Sequence, residues 1–458
     1  NDVANFVGNS QWPPVPQSID NSLRFDSGSS DYLVRTPSSA SNEKTFTFST
    51  WVKRITSGSD YILTARTGTS TSETFQFGWR NDQIQITSQS ADGGTTNVNI
   101  RSDAVFRDFS AWYHLVCAID TTQGTSTDRV KLYVNGSQVT SLENTTYPSQ
   151  NDDLYGINGT LEHALGRETY QGGTHYHSYY LAETVLIDGQ QLLPTSFGEF
   201  DTTTGIWKPK KIGSFTSAGT NSFYLDFKDS SNVGKDASGL SNNFTVNNLT
   251  SIDQSTDTCV KNFITLNPLQ SGSITFSDGN LTQGNTSSTG QNAISTIGAS
   301  SGKWYAEVKC TAVGSNGTIV GFVNLNLSNL QNQSIALGQD NFSAGLYSNN
   351  GPIFYSSETT FATVGSTSNG DIIQLAMDLD NGYLYWGRNG TYLNSAVPTS
   401  GSTGTGGLAT SNLGSGDIGF GMWQRNSASA SWNYGNPPFS ISSGNSDANG
   451  FGNFEYAV

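Results

Sequence analysis

Charged residues make up only 13% of this 458-residue chain, against roughly 25% in ordinary globular domains. Lys and Arg number 22 against 37 Asp and Glu, for a formal net charge of −15. Nucleic acid and anionic membrane surfaces are held by clustered cations, so neither is an expected partner. Cysteine is nearly missing: Cys117, Cys259 and Cys310 are widely spaced and odd in number. That excludes a disulfide framework and zinc-ligand spacing. Cys117 and Cys310 fall in predicted strands and are expected as small core residues. No apolar run approaches the ~20 residues that span a bilayer, so no membrane insertion is expected. No amphipathic helix of useful length is legible either. The chain opens on Asn1 rather than Met. Its N-terminus is therefore expected to be missing or processed, and the lack of a signal peptide excludes no address.

Glycine is abundant at 50 residues, amid much Ser, Thr and Asn. An uncharged polar surface of this kind suits exported and virion β proteins. The 24 Phe, 19 Tyr and 9 Trp, set in regular alternation, exclude disorder. The most informative stretch is Ser110 to Gly136, which reads as strand, loop, strand and tight turn. Tyr113, Leu115, Cys117 and Ile119 share one face at period two. Val130, Leu132 and Val134 then alternate with Arg129, Lys131 and Tyr133, a strand with one buried and one wet face. Asn135-Gly136 supplies the positive φ angles of a two-residue hairpin. Gly370 to Gly390 is a twin. Ile373, Leu375, Met377 and Leu379 line one face, Asn381-Gly382 turns, Tyr383 to Trp386 returns, and Asn389-Gly390 turns again.

At ~150 residues per domain the length predicts two or three domains. Strands every 8–15 residues, as in Phe46 to Lys53, Phe75 to Arg80 and Gln83 to Thr87, predict an all-β protein. Phe46, Phe48 and, out of step, Trp51 are core candidates. The expected architecture is two antiparallel β-sandwiches of jelly-roll type in tandem. Residues 1–20, with Trp12-Pro13-Pro14-Val15-Pro16, form an extended lead-in. Residues 21–200 form the first sandwich, 201–261 a β-rich bridge, and 262–458 the second sandwich. Asn221 to Phe227 echoes Asn21 to Asp26, as a second opening or as a strand completing the first sandwich. Pro398 to Gly416 reads as a flexible surface loop. Asp236-Ala237-Ser238-Gly239 lacks the spaced acidic ligands of a calcium loop and reads as a turn.

Two resemblances rest on these strands. Phe46 to Lys53, Trp112 to Val116, Val130 to Gly136 and Tyr180 to Thr184 resemble a laminin-G-like, concanavalin-A-like lectin domain. Gly302 to Val308, Ile319 to Phe322, Gly370 to Ile373 and Leu384 to Trp386, leading to Asn389-Gly390, resemble a SPRY domain. The pair in this order, with Lys208-Pro209-Lys210-Lys211 and Gly234 to Gly239 between, resembles fibre or adhesin proteins of tailed phages, marine ones especially. The resemblance implies a virion protein, or else an extracellular one, that binds a host-surface glycan or receptor alongside other virion proteins. A homo-oligomer, a trimer by analogy, is implied too. Coiled-coil heptads are missing, so fibre assembly is not legible here. A capsid-decoration or fibre-shaft protein, a polysaccharide-degrading enzyme and a cellular secreted adhesin are the alternatives.

The residues themselves point to binding rather than catalysis. Glycoside hydrolysis on such sandwiches needs paired carboxylates, commonly as Glu-x-Asp-x-x-Glu. The nearest match, Glu199-Phe200-Asp201, has Thr204 in the third place. No enzyme and no cofactor are therefore expected. His175-Tyr176-His177 would turn two rings to one side of a strand, yet no third metal ligand is fixed, so no metal is assigned. Sugars present apolar C–H faces that suit rings with polar tips. On that ground Tyr170, His175, Tyr176 and Tyr179 are the ligand-binding candidates in the first sandwich. Trp423 and Arg425, at a strand end, are the candidates in the second.

Overall fold

The computed structural model describes residues 18–66, 74–89, 95–170, 173–215, 217–270, 273–315, 317–328, 330 and 335–457. Trp12 to Pro16 lies outside them. The chain divides between Val260 and Lys261 into two compact units. Both are antiparallel β-sandwiches. Among the described residues helix is confined to single turns, the α-helical one being Ser126–Arg129.

In the first unit one sheet runs Ser137–Gln138, Val130–Val134, Trp112–Asp120, Thr45–Arg54, Tyr179–Asp188, Ser22–Phe25 and Gln254–Ser255. Phe223–Leu225 also pairs with Tyr179–Asp188. The facing sheet runs Leu142–Thr146, Thr96–Val105, Gln83–Gln89, Thr74–Arg80, Asp60–Arg66, Glu162–Leu165, Tyr32–Arg35 and Thr245–Asn247. Alternation decides which side chains meet between the sheets. Phe46, Phe48, Leu115, Cys117, Ile119, Val130 and Leu132 come from the first sheet. Phe75, Phe77, Trp79, Ile84 and Ile86 come from the second.

Trp51 was expected in that core. Being out of step, it faces the opposite side, where Ile19, Trp112, Tyr180, Ala182 and Trp207 form a second buried layer. Tyr133, expected on a wet face, is likewise covered, by Phe197, Phe215 and their neighbours. Both departures have one cause. Residues 201–260, expected as a bridge, belong to this unit and cover its first sheet. Phe223–Leu225 pairs with Thr184–Leu186, Thr245–Asn247 with Tyr32–Val34, and Gln254–Ser255 with Ser22–Leu23. Asn221 to Phe227 thus completes the first sandwich rather than opening the second. Lys53 and Asp257 close the layer as a fully buried ion pair at 2.8 Å, with Trp112 Nε1 donating to the same carboxylate at 3.0 Å. Asn135 and Gly136 have φ of 47° and 79°, as the hairpin requires. Gly136 also lies under Trp207, whose ring leaves no space for a Cβ.

In the second unit one sheet runs Thr275–Ser277, Thr282–Asn285, Ala428–Asn433, Lys303–Ala312, Ile372–Asp378, Tyr383–Arg388 and Thr391–Tyr392. The other runs Gln291–Ile294, Ile418–Gln424, Ile319–Asn324, Ser343–Tyr347, Pro352–Tyr355 and Thr359–Thr363. Ile373, Leu375 and Met377 enter the shared core with Cys310, Phe322, Trp386, Phe420 and Trp432. The 398–416 stretch is anchored rather than loose: Leu408 and Leu413 are buried, and Leu408–Ala409 pairs with Tyr383–Leu384. The C-terminal segment lies across the outer face of the first of these sheets. There Glu307 accepts from the backbone N–H groups of Glu455 (3.0 Å) and Tyr456 (2.8 Å), from Asn433 Nδ2 and from the Tyr305 hydroxyl.

Candidate functional site

The second sheet of the first unit buries one face and leaves the other to solvent. Phe75, Phe77 and Trp79 point into the core, so Gln76, Gly78 and Arg80 point out. By the same period Ile84 and Ile86 send Gln85 and Thr87 outward, and Val98 and Ile100 send Asn99 outward. Register then places Thr64, Gln76, Thr87 and Asn99 in one row across four strands. Gly78 sits opposite Gln85. The strand Asp60–Arg66 bulges between Tyr61 and Leu63, and a Cβ on Gly78 would come 2.4 Å from the Asp60 carbonyl oxygen. The hairpin Arg167–Tyr170 and Gly173–Tyr176 rises beside this face, with Glu168 opposite His175. Sheet and hairpin enclose a cleft of roughly 660 Å³.

Hydrogen bonds fix the orientation of the floor. Thr87 Oγ1 donates to Gln76 Oε1 at 3.2 Å, and Gln76 Nε2 donates to Glu168. Arg66 Nη1 stands 3.9 Å from the same carboxylate. Gln85 Nε2 donates to Asn99 Oδ1 at 2.7 Å. At the other end Asp60 accepts from Thr56 Oγ1 at 2.7 Å and faces Arg54 Nη2 at 3.7 Å and His177 Nδ1 at 3.6 Å. Behind it, Asp82 meets Arg54 at 3.0 Å and Arg107 at 2.6 Å. Burial would raise the Asp82 carboxyl, but the Gly58 amide and the two guanidinium groups prevail and hold it below the usual range. Tyr61 and Tyr176 line the cleft with half-buried rings. Tyr61 is fixed edge-on to His177 at 5.8 Å, and Tyr176 packs on Tyr32 at 5.8 Å. The cleft thus offers amides, hydroxyls and two rings, with its two buried carboxylates, Asp60 and Glu168, each facing a cation.

Of the first-sandwich candidates, His175 and Tyr176 line this cleft. The Tyr170 side chain lies outside the described residues. Tyr179 requires a correction. It has no exposed surface, its hydroxyl accepts from the Gly166 amide at 2.6 Å, and it donates to the Tyr61 carbonyl at 3.1 Å. The reason is cover on both faces: the strand Tyr179–Asp188 is buried along its whole length, with Tyr179 in the core between the sheets and Tyr180 in the layer behind. His177 lines the cleft as a buried residue, whereas His175 is exposed. In the second unit Trp423 lies over Gly290 on the outer face of its sheet, and the Arg425 guanidinium stacks 5.0 Å from its ring.

Sequence reasoning missed Asp60, Tyr61, Arg66, Gln76, Arg80, Gln85, Thr87, Asn99 and Glu168. For Gln76, Arg80, Gln85 and Thr87 the signal was available as the polar half of strands read only for their apolar half; Asn99 and Glu168 lie in strands that the reading did not include.

Carboxylates elsewhere have structural work. Asp201 caps its own turn through Thr203 and Thr204 and meets Lys208 at 3.1 Å; these contacts hold it at about 2. Glu183 is pushed up to about 7 by burial, against a hydrogen bond from Tyr224, on the other sheet from the cleft. Among the described residues no three of His, Cys, Asp and Glu group as a metal site.

Residues 27–174 match the concanavalin A-like lectin/glucanases superfamily, and residues 303–408 match the SPRY domain family. No curated protein matches the chain. Solved structures with similarity include a putative carbohydrate binding protein from Bacteroides ovatus, at 16% identity and a TM-score of 0.31, covering 50% of this chain and 58% of that one. A heptameric SAP-like pentraxin from Limulus polyphemus has 15% identity and a TM-score of 0.30, covering 46% and 94%. The SPRY domain of human HERC1 has 13% identity and a TM-score of 0.28, covering 36% and 96%.

Proposed function

We propose that this protein is a non-enzymatic, glycan-binding adhesin of a phage virion, a tail fibre or receptor-binding component, with the cleft of the first unit as its binding site. The observation that carries the binding role is the cleft lining. Two half-buried tyrosine rings stand over a floor of oriented amides and hydroxyls, the pairing that suits the apolar faces and hydroxyl edges of sugars. The match to a lectin-type superfamily supports it. The virion assignment rests on the order of the two domain types along the chain. A non-catalytic role is favoured because Asp60 and Glu168 each face cations and donors.

The test is a printed glycan array probed with the full chain and with Tyr61→Ala and Tyr176→Ala. Wild type should bind a restricted set of glycans, and each variant should lose about tenfold or more on that set. Retained binding in both variants would move the site elsewhere. Antibody-labelled electron microscopy of the carrying particle tests the virion role. Label at a tail tip supports it, and label on a capsid lattice would replace it with decoration.

A further inference from the structure

The charges around the cleft are not balanced at its surface. Asp60 and Glu168, which carry its carboxylates, are both buried residues. Asp60 faces Arg54 and His177, and Glu168 faces Arg66. Two further carboxylates are held near the Asp60 end. Asp82 meets Arg54 and Arg107, while Glu143 accepts from Arg101 and from Gln83. Arg80 also lines the cleft, and it differs from all of these. It is exposed, and among the described residues no carboxylate stands within 4.0 Å of it. The strand register puts Trp79 opposite Asp60, so Arg80 projects beside the Ser59 to Tyr61 end. In a chain with 37 acidic and 22 basic residues, an unneutralised guanidinium in a polar cleft runs against composition.

We propose that Arg80 is the anion-recognising residue of the cleft, and that its glycan carries a carboxylate or sulfate on the sugar at the Ser59 to Tyr61 end. This rests on the glycan-binding reading above and narrows its ligand class to acidic glycans. A guanidinium presents paired N–H donors that match two oxygens of a carboxylate or sulfate. With Asp60 and Asp82 turned to their own cations, the fork of Arg80 is open to the ligand. The tyrosine ring of Tyr61 beside it supplies the apolar surface for the same sugar.

Matched probes test this with the full chain in about 0.15 M salt, where surface fields reach only ~8 Å. Polygalacturonate is compared with its methyl ester, and dextran sulfate with dextran. Wild type should prefer one acidic member over its neutral partner by about tenfold or more, the scale of a charge-assisted hydrogen bond. The first pair responding identifies a carboxylate, the second a sulfate. In Arg80→Gln the acidic-to-neutral ratio should fall to about one, and Arg80→Lys should restore part of it. Arg80 is exposed, so an unchanged unfolding midpoint shows that both variants fold. Equal binding of acid and neutral forms by wild type overturns the proposal, as does a preference that survives Arg80→Gln. If neutral glycans still need Tyr61 and Tyr176, the cleft reading survives that failure. Wild type that binds no glycan on the array or among these probes overturns both.

Discussion

The surroundings of His114 demand a neutral ring. Trp207 Nε1 donates to Nδ1 at 3.0 Å, so that nitrogen must carry a lone pair, and Nε2 meets Ser49 Oγ at 2.9 Å. Burial pushes the ring down to about 3, and burial pushes His163 down to about 4. The unfolded chain therefore binds protons below pH ~6.5 that the folded chain refuses. Each histidine then removes stability as pH falls from about 6.5 towards its folded value, by on the order of 1 kcal/mol per pH unit. Asp31, raised to about 6, and Glu183, raised to about 7, act in the opposite sense, favouring the fold at low pH and losing that contribution as pH rises through those values. Comparison with His114→Gln isolates the histidine. Urea unfolding at pH 4.5 and pH 7, followed by tryptophan fluorescence, should show the variant more stable at pH 4.5, relative to its own stability at pH 7, than the wild type is. At Gly136, φ of 79° and the Trp207 ring both act against a side chain, whereas Gly189, with φ of 85°, has open space. Gly136→Ala should cost well over the ~1 kcal/mol expected for Gly189→Ala from backbone conformation alone, read as the shift in unfolding midpoint.

At the scale of elements, Glu307 fastens the C-terminal segment to its sheet through two backbone N–H groups. Glu307→Gln would turn an amide N–H₂ toward donors. Amide exchange should quicken across residues 445–457 while the core strand Ile372–Asp378 stays protected; unchanged exchange there would deny the fastening role. That carboxylate was not legible in the sequence, because its partners are backbone groups about 148 positions away. The strands dense in apolar and aromatic residues were legible, such as Tyr383–Arg388, which contains the Tyr383 to Trp386 return of the reading. Thr282–Asn285, Gln291–Ile294 and Thr359–Thr363 were not, since their Gln, Asn and Thr residues look like loop until register pairs them. The cleft divides the same way. His175 and Tyr176 stood out as a dense local cluster, while Gln76, Gln85 and Asn99 are separated along the chain and meet only across strands.

For the molecule as a whole, the boundary at Val260 has a direct consequence for dissection. A fragment ending near residue 200 would uncover Trp51, Tyr180, Val185 and Ile187 and leave Lys53 without Asp257. Residues 18–260 should express as a soluble, cooperatively unfolding unit, and residues 21–200 should aggregate. Soluble, cooperative 21–200 would restore the shorter domain. Within the full chain, Asp257→Ala should cost about 3–5 kcal/mol in urea unfolding, because it strands a buried ammonium.

The pairing of Ser22 and Leu23 with Ser255 and Gln254 also sets a timetable. Ser22 and Asp257, joined by a hydrogen bond, are separated by 235 positions. At synthesis rates of ~5–20 residues per second, the opening strand waits more than about ten seconds for its last neighbour. Contacts this distant in sequence form slowly. Until the segment emerges, the nascent first sheet carries an unprotected edge and an uncovered aromatic face. This makes translation itself the period of greatest exposure to misassembly for this protein.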